Sequence, residues 1–284
     1  MTRLLVVTAD DLGLTRGVNR AIRRAHVEGI VTTTSLLAVG REFDDAIAML
    51  RATPTLELGA HLALVGEDPP LLGAREIPSL VDARGAFPLS YRTVVRRGLA
   101  GRIDPADVRR ELAAQLERVL GAGLPVTHLD THQHTHLWPA VGRVVADLAA
   151  THGIDAVRAP HSHAHGVVGD GVRTLGRLGT RRLARSGLRS TADYAGLDEA
   201  GALAARFDDA LGLLASRGAT SAEINAHPGE AADDDLGRFA WNYDWADELT
   251  LLTAPRTRAH VLAAGYTLGG FLDLPGAPRP EDRR

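Results

Sequence analysis

The sequence predicts an α/β chain on a mostly parallel sheet that closes, or nearly closes, into a barrel. Short apolar, β-branched runs alternate with amphipathic helical stretches along most of the 284 residues. Roughly seven such units fit that length, which suits a barrel better than an open doubly wound sheet. The first strand–helix turn, "DDLGLTRG", also lacks a G-x-G-x-x-G fingerprint, which argues against a dinucleotide-binding fold.

The elements follow in order. "RLLVVTA" (3–9) reads as a buried parallel strand, and "VNRAIRRAHVEG" (18–29) as a helix ending at Gly29. A helix start near Arg16 makes Thr15 the cap and leaves Asp10 and Asp11 free. "IVTTTSLLAV" (30–39), "REFDDAIAMLRA" (41–52) and "LELGAHLAL" (56–64) continue as strand, helix, strand. Residues 66–100 are irregular and rich in Pro and Gly. The clearest helix is 104–123, with Asp104 as cap, Pro105 in the first helical position and an apolar stripe of Val108, Leu112, Leu116, Val119 and Leu120. The strand "VTHLDTH", a helix over 139–151 and a short strand at "DAVRAP" (155–160) come next. Residues 161–195, Gly- and Arg-rich with a weak helical pattern, fit poorly and suggest a surface excursion or a lid. A helix near 198–217, the strand "SAEINAH" (221–227), a helix or turn near 246–264 and a strand "YTLGGFL" (266–272) complete the series. One domain over 1–275 is expected, with a frayed tail at 276–284.

Composition narrows the chemistry. Hydrophobic content is 45% and formal net charge −3, an ordinary globular balance with no basic face for nucleic acid. The apolar run at the N-terminus is too short for a signal core or a membrane span, so a cytoplasmic location is expected. There is no cysteine, which excludes thiolate nucleophiles and thiolate metal sites. There is also no lysine, which removes Schiff-base and Walker-type chemistry. The chemistry must rest on His, Asp, Glu, Arg and hydroxyls.

In barrels the active site gathers at the C-terminal ends of the strands. Five separated strands bring polar groups there: Asp10 and Asp11, His61, the His/Asp cluster, Arg158, and Glu223 with Asn225 and His227. The cluster, "THLDTHQHTHLW" (127–138), holds four histidines and an aspartate. Strand alternation would set His128, Asp130, His132, His134 and His136 on one face and point Gln133 away. Residues i and i+2 lie about 6–7 Å apart on a strand, so one or two of them reach any single ion and the rest form a supporting wall. The plain alternative is a solvated His-rich loop, and adjacent aspartates often serve only as helix caps. The convergence from other strands weighs against both. Two histidines and one aspartate suit Zn²⁺ or a related ion, whereas Mg²⁺ prefers oxygen donors. Metal-assisted hydrolysis follows: the ion polarises a carbonyl or phosphoryl oxygen and acidifies water, a carboxylate takes the proton, and a histidine serves the leaving group.

The blocks "VVTADDLGLTRGVNRAI", "GIVTTTSLLAVG", "LGAHLAL", "PVTHLDTHQHTH" and "EINAHPGE" together resemble the YdjC-like carbohydrate deacetylases, a family that includes the chitooligosaccharide deacetylases and the hopanoid-biosynthesis deacetylase. The resemblance runs in order from residue 3 to about 230, and thinly to 272. It implies a deformed (β/α) barrel related to polysaccharide deacetylases, one divalent metal ion (zinc or magnesium), and removal of acetyl groups from N-acetylated sugars or oligosaccharides. By this resemblance Asp11, His61 and His132 are the metal ligands, Asp10 is the base, and His227 is a proton donor or transition-state stabiliser. Arg158 is a rim arginine holding Asp10 or substrate, and Asp193 of "TADYAG" is near the site. His134, His136, Glu223 and Trp241 join Asp193 as expected substrate contacts, and a homodimer is compatible. Two departures stand out: Gln133 replaces a histidine of the family pattern, and "HSHAH" (161–165) matches no family feature. Competing readings are a metal-dependent phosphoesterase or other amidohydrolase on the same site, and a non-catalytic metal- or carbohydrate-binding protein.

Overall fold

The computed structural model describes residues 3–276. The part of the expected tail from residue 277 onward lies outside them. Among the described residues one eight-stranded, all-parallel sheet runs in the order β5-β4-β3-β2-β1-β7-β6, with β8 also on β1. The strands are β1 (Arg3–Leu12), β2 (Thr33–Leu37), β3 (Glu57–Leu62), β4 (Val126–Thr131), β5 (Ala156–Val157), β6 (Asp193–Ala195), β7 (Ser221–Ala226) and β8 (Tyr266–Leu268). β1 is buried from Leu5 to Leu12, as expected of a parallel strand covered on both faces. The curl is deformed at its two ends, β5 and β6, which do not pair among the described residues. A single parallel bridge, Ala156 to Arg189, spans that gap, with Val157 N donating to Arg189 O at 2.9 Å.

Helices α1 (Arg16–Val27), α2 (Phe43–Arg51), α3 (Tyr91–Leu99), α4 (Pro105–Leu120), α5 (Pro139–Thr151), α6 (Val167–Arg185), α7 (Leu203–Arg217), α8 (Trp245–Thr253) and α9 (Pro255–Ala263) connect the strands. Thr15 caps α1, accepting from Val18 N at 3.0 Å, so Asp10 and Asp11 are indeed spared that role. Asp104 caps α4 and Pro105 opens it. Beside its apolar stripe, α4 buries a polar row that supplies partners to the loop after β3. Glu111 accepts from Leu71 N and Leu72 N, Gln115 brackets both backbone groups of Ala63, and Asp107 accepts from Ser79 N.

Four expectations change. The irregular stretch 66–100 contains α3, and the expected strand 266–272 stops at Leu268, before Gly269-Gly270. Pro255, which cannot donate into a helix, splits 246–264 into α8 and α9. The poorly fitting stretch 161–195 forms the 19-residue α6 and then β6. Its helical pattern is weak because α6 buries only Gly169, Gly176 and Leu183. A Cβ at Gly176 would lie 2.8 Å from Pro160 O, so glycine lets α6 press against the 160–164 segment. No described helix is long and apolar enough to cross a membrane.

Candidate active site

At the C-terminal ends of the strands lies a cavity of about 370 Å³. Asp10, Asp11, His61, His132, His134 and His227 face it from the sheet side. Val94 and Val95 of α3, Trp138, Val172 and Leu175 of α6, and the Trp241–Tyr243 corner wall it.

Adjacent residues on a regular strand point to opposite faces, yet Asp10 and Asp11 both reach this cavity. The register with β2 shifts between Ala9 and Leu12, and Asp11 has φ +65°. This bulge with a left-handed aspartate turns the second carboxylate inward, at a cost of about 1–3 kcal/mol.

Asp11, His61 and His132 meet. Their donor atoms lie within 4.8 Å of one another, with Asp11 Oδ1 3.0 Å from His132 Nδ1 and 3.3 Å from His61 Nε2. Neither Asp11 oxygen receives a hydrogen bond of good geometry, although both are buried. A buried carboxylate lacking donors and facing two imidazole nitrogens fits a cation held between them. Burial opposes charge on Asp11, but the two imidazoles outweigh it and hold its carboxyl well below the usual range. His61 Nδ1 sits 2.8 Å from Asp130 Oδ1, which assigns the proton to Nδ1 and turns the Nε2 lone pair toward Asp11. Burial disfavours a charged His61, yet the carboxylates of Asp130, Asp10 and the nearby Asp11 push it up to about 10. The site calls for positive charge, whether from a proton or from an ion.

Behind it lies Arg158. It is not at the rim, as expected from the resemblance, but fully buried beneath the cavity floor. Its Nη1 and Nη2 donate to the two Asp10 oxygens at 2.7 Å, and its Nε donates to Glu223 at 2.8 Å. Its Nη1 also lies 2.7 Å from Asp130 Oδ2. One guanidinium thus serves three carboxylates. Asp10 further accepts from Ser35 Oγ at 2.9 Å and Asn225 Nδ2 at 3.0 Å. Burial raises the Asp10 pKa, but Arg158 and His61 prevail and hold it below its ordinary value. Glu223 is pushed up to about 6 by burial, against the pull of Arg158.

The His cluster departs from strand alternation. β4 ends at Thr131, and the next residues form a tight turn in which Gln133 and His134 have φ +49° and +51°. Two left-handed residues in succession break the period-two rule. Gln133 therefore does not point idly away: it accepts from Tyr91 N at 2.8 Å and donates to Leu89 O at 3.0 Å, clamping the start of α3. His134 lines the cavity, with Nε2 3.1 Å from the Tyr194 hydroxyl, and burial keeps it neutral. His136 does not line it. Its Nδ1 is 2.6 Å from Thr131 Oγ1 and its Nε2 reaches Arg158 O at 3.1 Å, a structural brace. His128 stacks on Phe271 at 3.9 Å and is likewise no part of the cavity wall.

Glu223 and Asp193 do not line the cavity either. Glu223 is spent on Arg158 and Thr8, and Asp193 pairs with His161 and Arg217. Trp241 does line it, tilted over His132 at 5.1 Å, with Nε1 donating to Glu67 at 2.9 Å. His227 opens into the cavity beside Tyr243, ring centroids 4.8 Å apart, and its backbone N–H is fixed by Glu248. The α3 wall and Tyr194, which donates to Asn225 at 2.6 Å, have no counterpart in the sequence reading, whereas Val172 and Leu175 of α6 place part of the 161–195 stretch over the site, the lid alternative offered for it.

The strand ends of this parallel, deformed β/α barrel thus carry an Asp-His-His pocket and a second, arginine-held aspartate. The model of the YdjC-like protein family matches residues 4–263, and the chain belongs to that family. A chitooligosaccharide deacetylase of Salmonella dublin is 30% identical over 285 residues, covering 96% of this chain and 100% of that one. A carbohydrate deacetylase of Brevibacillus brevis is 40% identical over 147 residues, 51% of this chain and 55% of that relative's length. In fold, the chain matches a putative cellobiose-phosphate cleavage protein of Enterococcus faecalis with TM-score 0.79 at 22% identity, covering 95% and 98% of the two chains.

Proposed function

We propose that this protein is a divalent-metal-dependent N-deacetylase of amino-sugar-containing carbohydrates, with residues 1–275 forming one catalytic domain. The observation that carries this reading is the convergence of Asp11, His61 and His132 around a buried carboxylate without donors, next to an Asp10 that shares the cavity. The names of the deacetylase relatives support the substrate class. A divalent ion at that triad, best Zn²⁺ given two imidazole donors, would polarise the amide carbonyl and acidify water.

The chain's own groups do the rest. Asp10, kept ionised by Arg158, accepts the proton of the attacking water. His227, which leaves β7 beside the end of β1 and lines the same cavity, delivers a proton to the departing nitrogen, so that water and acetamide become acetate and free amine. Arg158 is buried and acts through Asp10, as a positioning residue. Trp241 and Tyr243 offer flat apolar faces to a sugar ring, and His134 offers a neutral ring to its hydroxyls.

A two-metal phosphoesterase fits less well. The second candidate triad at this cavity, Asp10, His61 and Asp130, shares His61 with the first, and Arg158 Nη1 already stands 2.7 Å from both aspartates. The guanidinium supplies the charge that a second ion would.

Purified protein reloaded with Zn²⁺ should release acetate from N-acetylated chitooligosaccharides, and dialysis against a chelator should stop release until metal is returned. Zinc-replete protein inert on a broad panel of N-acetylated sugars contradicts the proposal.

A further inference from the structure

The motif "HSHAH", which the deacetylase reading leaves unused, forms a second cluster. Its first and third residues, His161 and His163, converge on Asp193 of β6, their rings 5.5 Å apart and nearly perpendicular. His161 Nε2 is 2.8 Å and His163 Nε2 3.7 Å from the same oxygen, Asp193 Oδ1. The three donors lie within 4.8 Å of one another. Asp193 is buried, while the two imidazoles are partly open to solvent, so an ion has an entry path. None of the three residues lines the cavity of the candidate active site.

The hydrogen-bond count separates this cluster from an ordinary polar patch. His161 Nδ1 lies 3.1 Å from Ala159 O, while its Nε2 faces the Asp193 carboxylate. Both ring nitrogens of His161 therefore face oxygens that can only accept. His163 Nε2 faces the same Asp193 Oδ1 and one further acceptor, Tyr194 O at 2.8 Å. A neutral imidazole carries one N–H, so this arrangement needs an added cation, either a further proton or a metal ion. The Nδ1 contact of His161 to a carbonyl is the arrangement that fixes a metal-ligating imidazole elsewhere. The backbone is pre-set: Asp198 accepts from Ser162 Oγ, His163 N and Ala164 N, holding alternate histidines toward Asp193. Two competitors are present: Tyr194 N donates to Asp193 Oδ1 at 3.0 Å, leaving that oxygen a second lone pair, and Arg217 Nε donates to the other Asp193 oxygen at 2.6 Å.

We propose that His161, His163 and Asp193 form a second, structural metal site, with the Tyr194 carbonyl completing four donors. Two imidazole nitrogens and two oxygens suit Zn²⁺ or a neighbouring transition ion rather than Mg²⁺ or Ca²⁺. The ion ties the segment after β5 to β6 at the foot of α6, the helix whose Val172 and Leu175 wall the cavity. Its role is to hold that wall, not to take part in hydrolysis.

The test is metal content by mass spectrometry after zinc loading and desalting. Wild-type protein should retain two ions per chain, the His161→Ala/His163→Ala variant one, and the Asp11→Asn variant one. In Asp11→Asn, zinc should still raise Tm, and should shield His161 and His163 from modification by diethyl pyrocarbonate. This last readout needs no substitution at the new site, and so stands even if the double alanine variant fails to fold. Zinc content equal in the wild type and His161→Ala/His163→Ala, or undiminished modification of both histidines in zinc, overturns the proposal; a single wild-type ion that is lost in His161→Ala/His163→Ala supports it and counts instead against the ion at Asp11.

Discussion

Asp10→Asn should lower kcat for acetate release by about 10²- to 10⁴-fold, the range for loss of a general base. Asparagine keeps the shape but cannot take a proton at this position. Because Asp11, His61 and His132 are untouched, zinc content should stay at the wild-type level, and KM should change far less than kcat. The pairing of Asp10 with Arg158 makes the variant informative. Arg158 holds the carboxylate in place and ionised, and lowers its basicity as it does so. The aspartate therefore works through position and charge more than through proton affinity. A variant with near wild-type kcat would remove Asp10 from the reaction.

Arg158→Met should destabilise the fold by about 3–5 kcal/mol, since it strips a buried cation from Asp10, Asp130 and Glu223. For a chain of this size that corresponds to a drop in Tm on the order of 10 °C. The loss should depend on pH. Without the guanidinium, buried carboxylates have folded-state pKa values above the unfolded ones, so the folded protein binds more protons than the unfolded chain. Stability then falls as pH rises through those values. Glu223, pushed up to about 6 even with Arg158 in place, should rise further. Thermal melts should therefore show a smaller Arg158→Met deficit at pH 5 than at pH 8. An equal deficit at both would mean that packing, not charge, is what Arg158 supplies.

Much of this was legible in the sequence where local chemistry and strand period agree. Thr15, Asp104 and Pro105 announce their helices, and the ends of β1, β3, β4 and β7 deliver Asp11, His61, His132 and His227 to one cavity. The rest was hidden by backbone exceptions. Alternation projected His134 and His136 onto one face, but left-handed Gln133 and His134 end the strand, so only His134 reaches the cavity. A bulge brings Asp10 and Asp11 together, where a regular strand would part them. Arg158 is at a strand end, as expected, yet points into the barrel, because three buried carboxylates await it there. α6 carried almost no signal, since a helix that lies over a cavity buries little of itself, and its glycines read as loop.

The central claim is that one ion sits among Asp11, His61 and His132. Anomalous diffraction at the zinc edge from zinc-loaded crystals tests it most directly. A peak is expected about 2.0–2.2 Å from an Asp11 oxygen, His61 Nε2 and His132 Nδ1. An active, zinc-replete crystal with no peak between these three residues would contradict it.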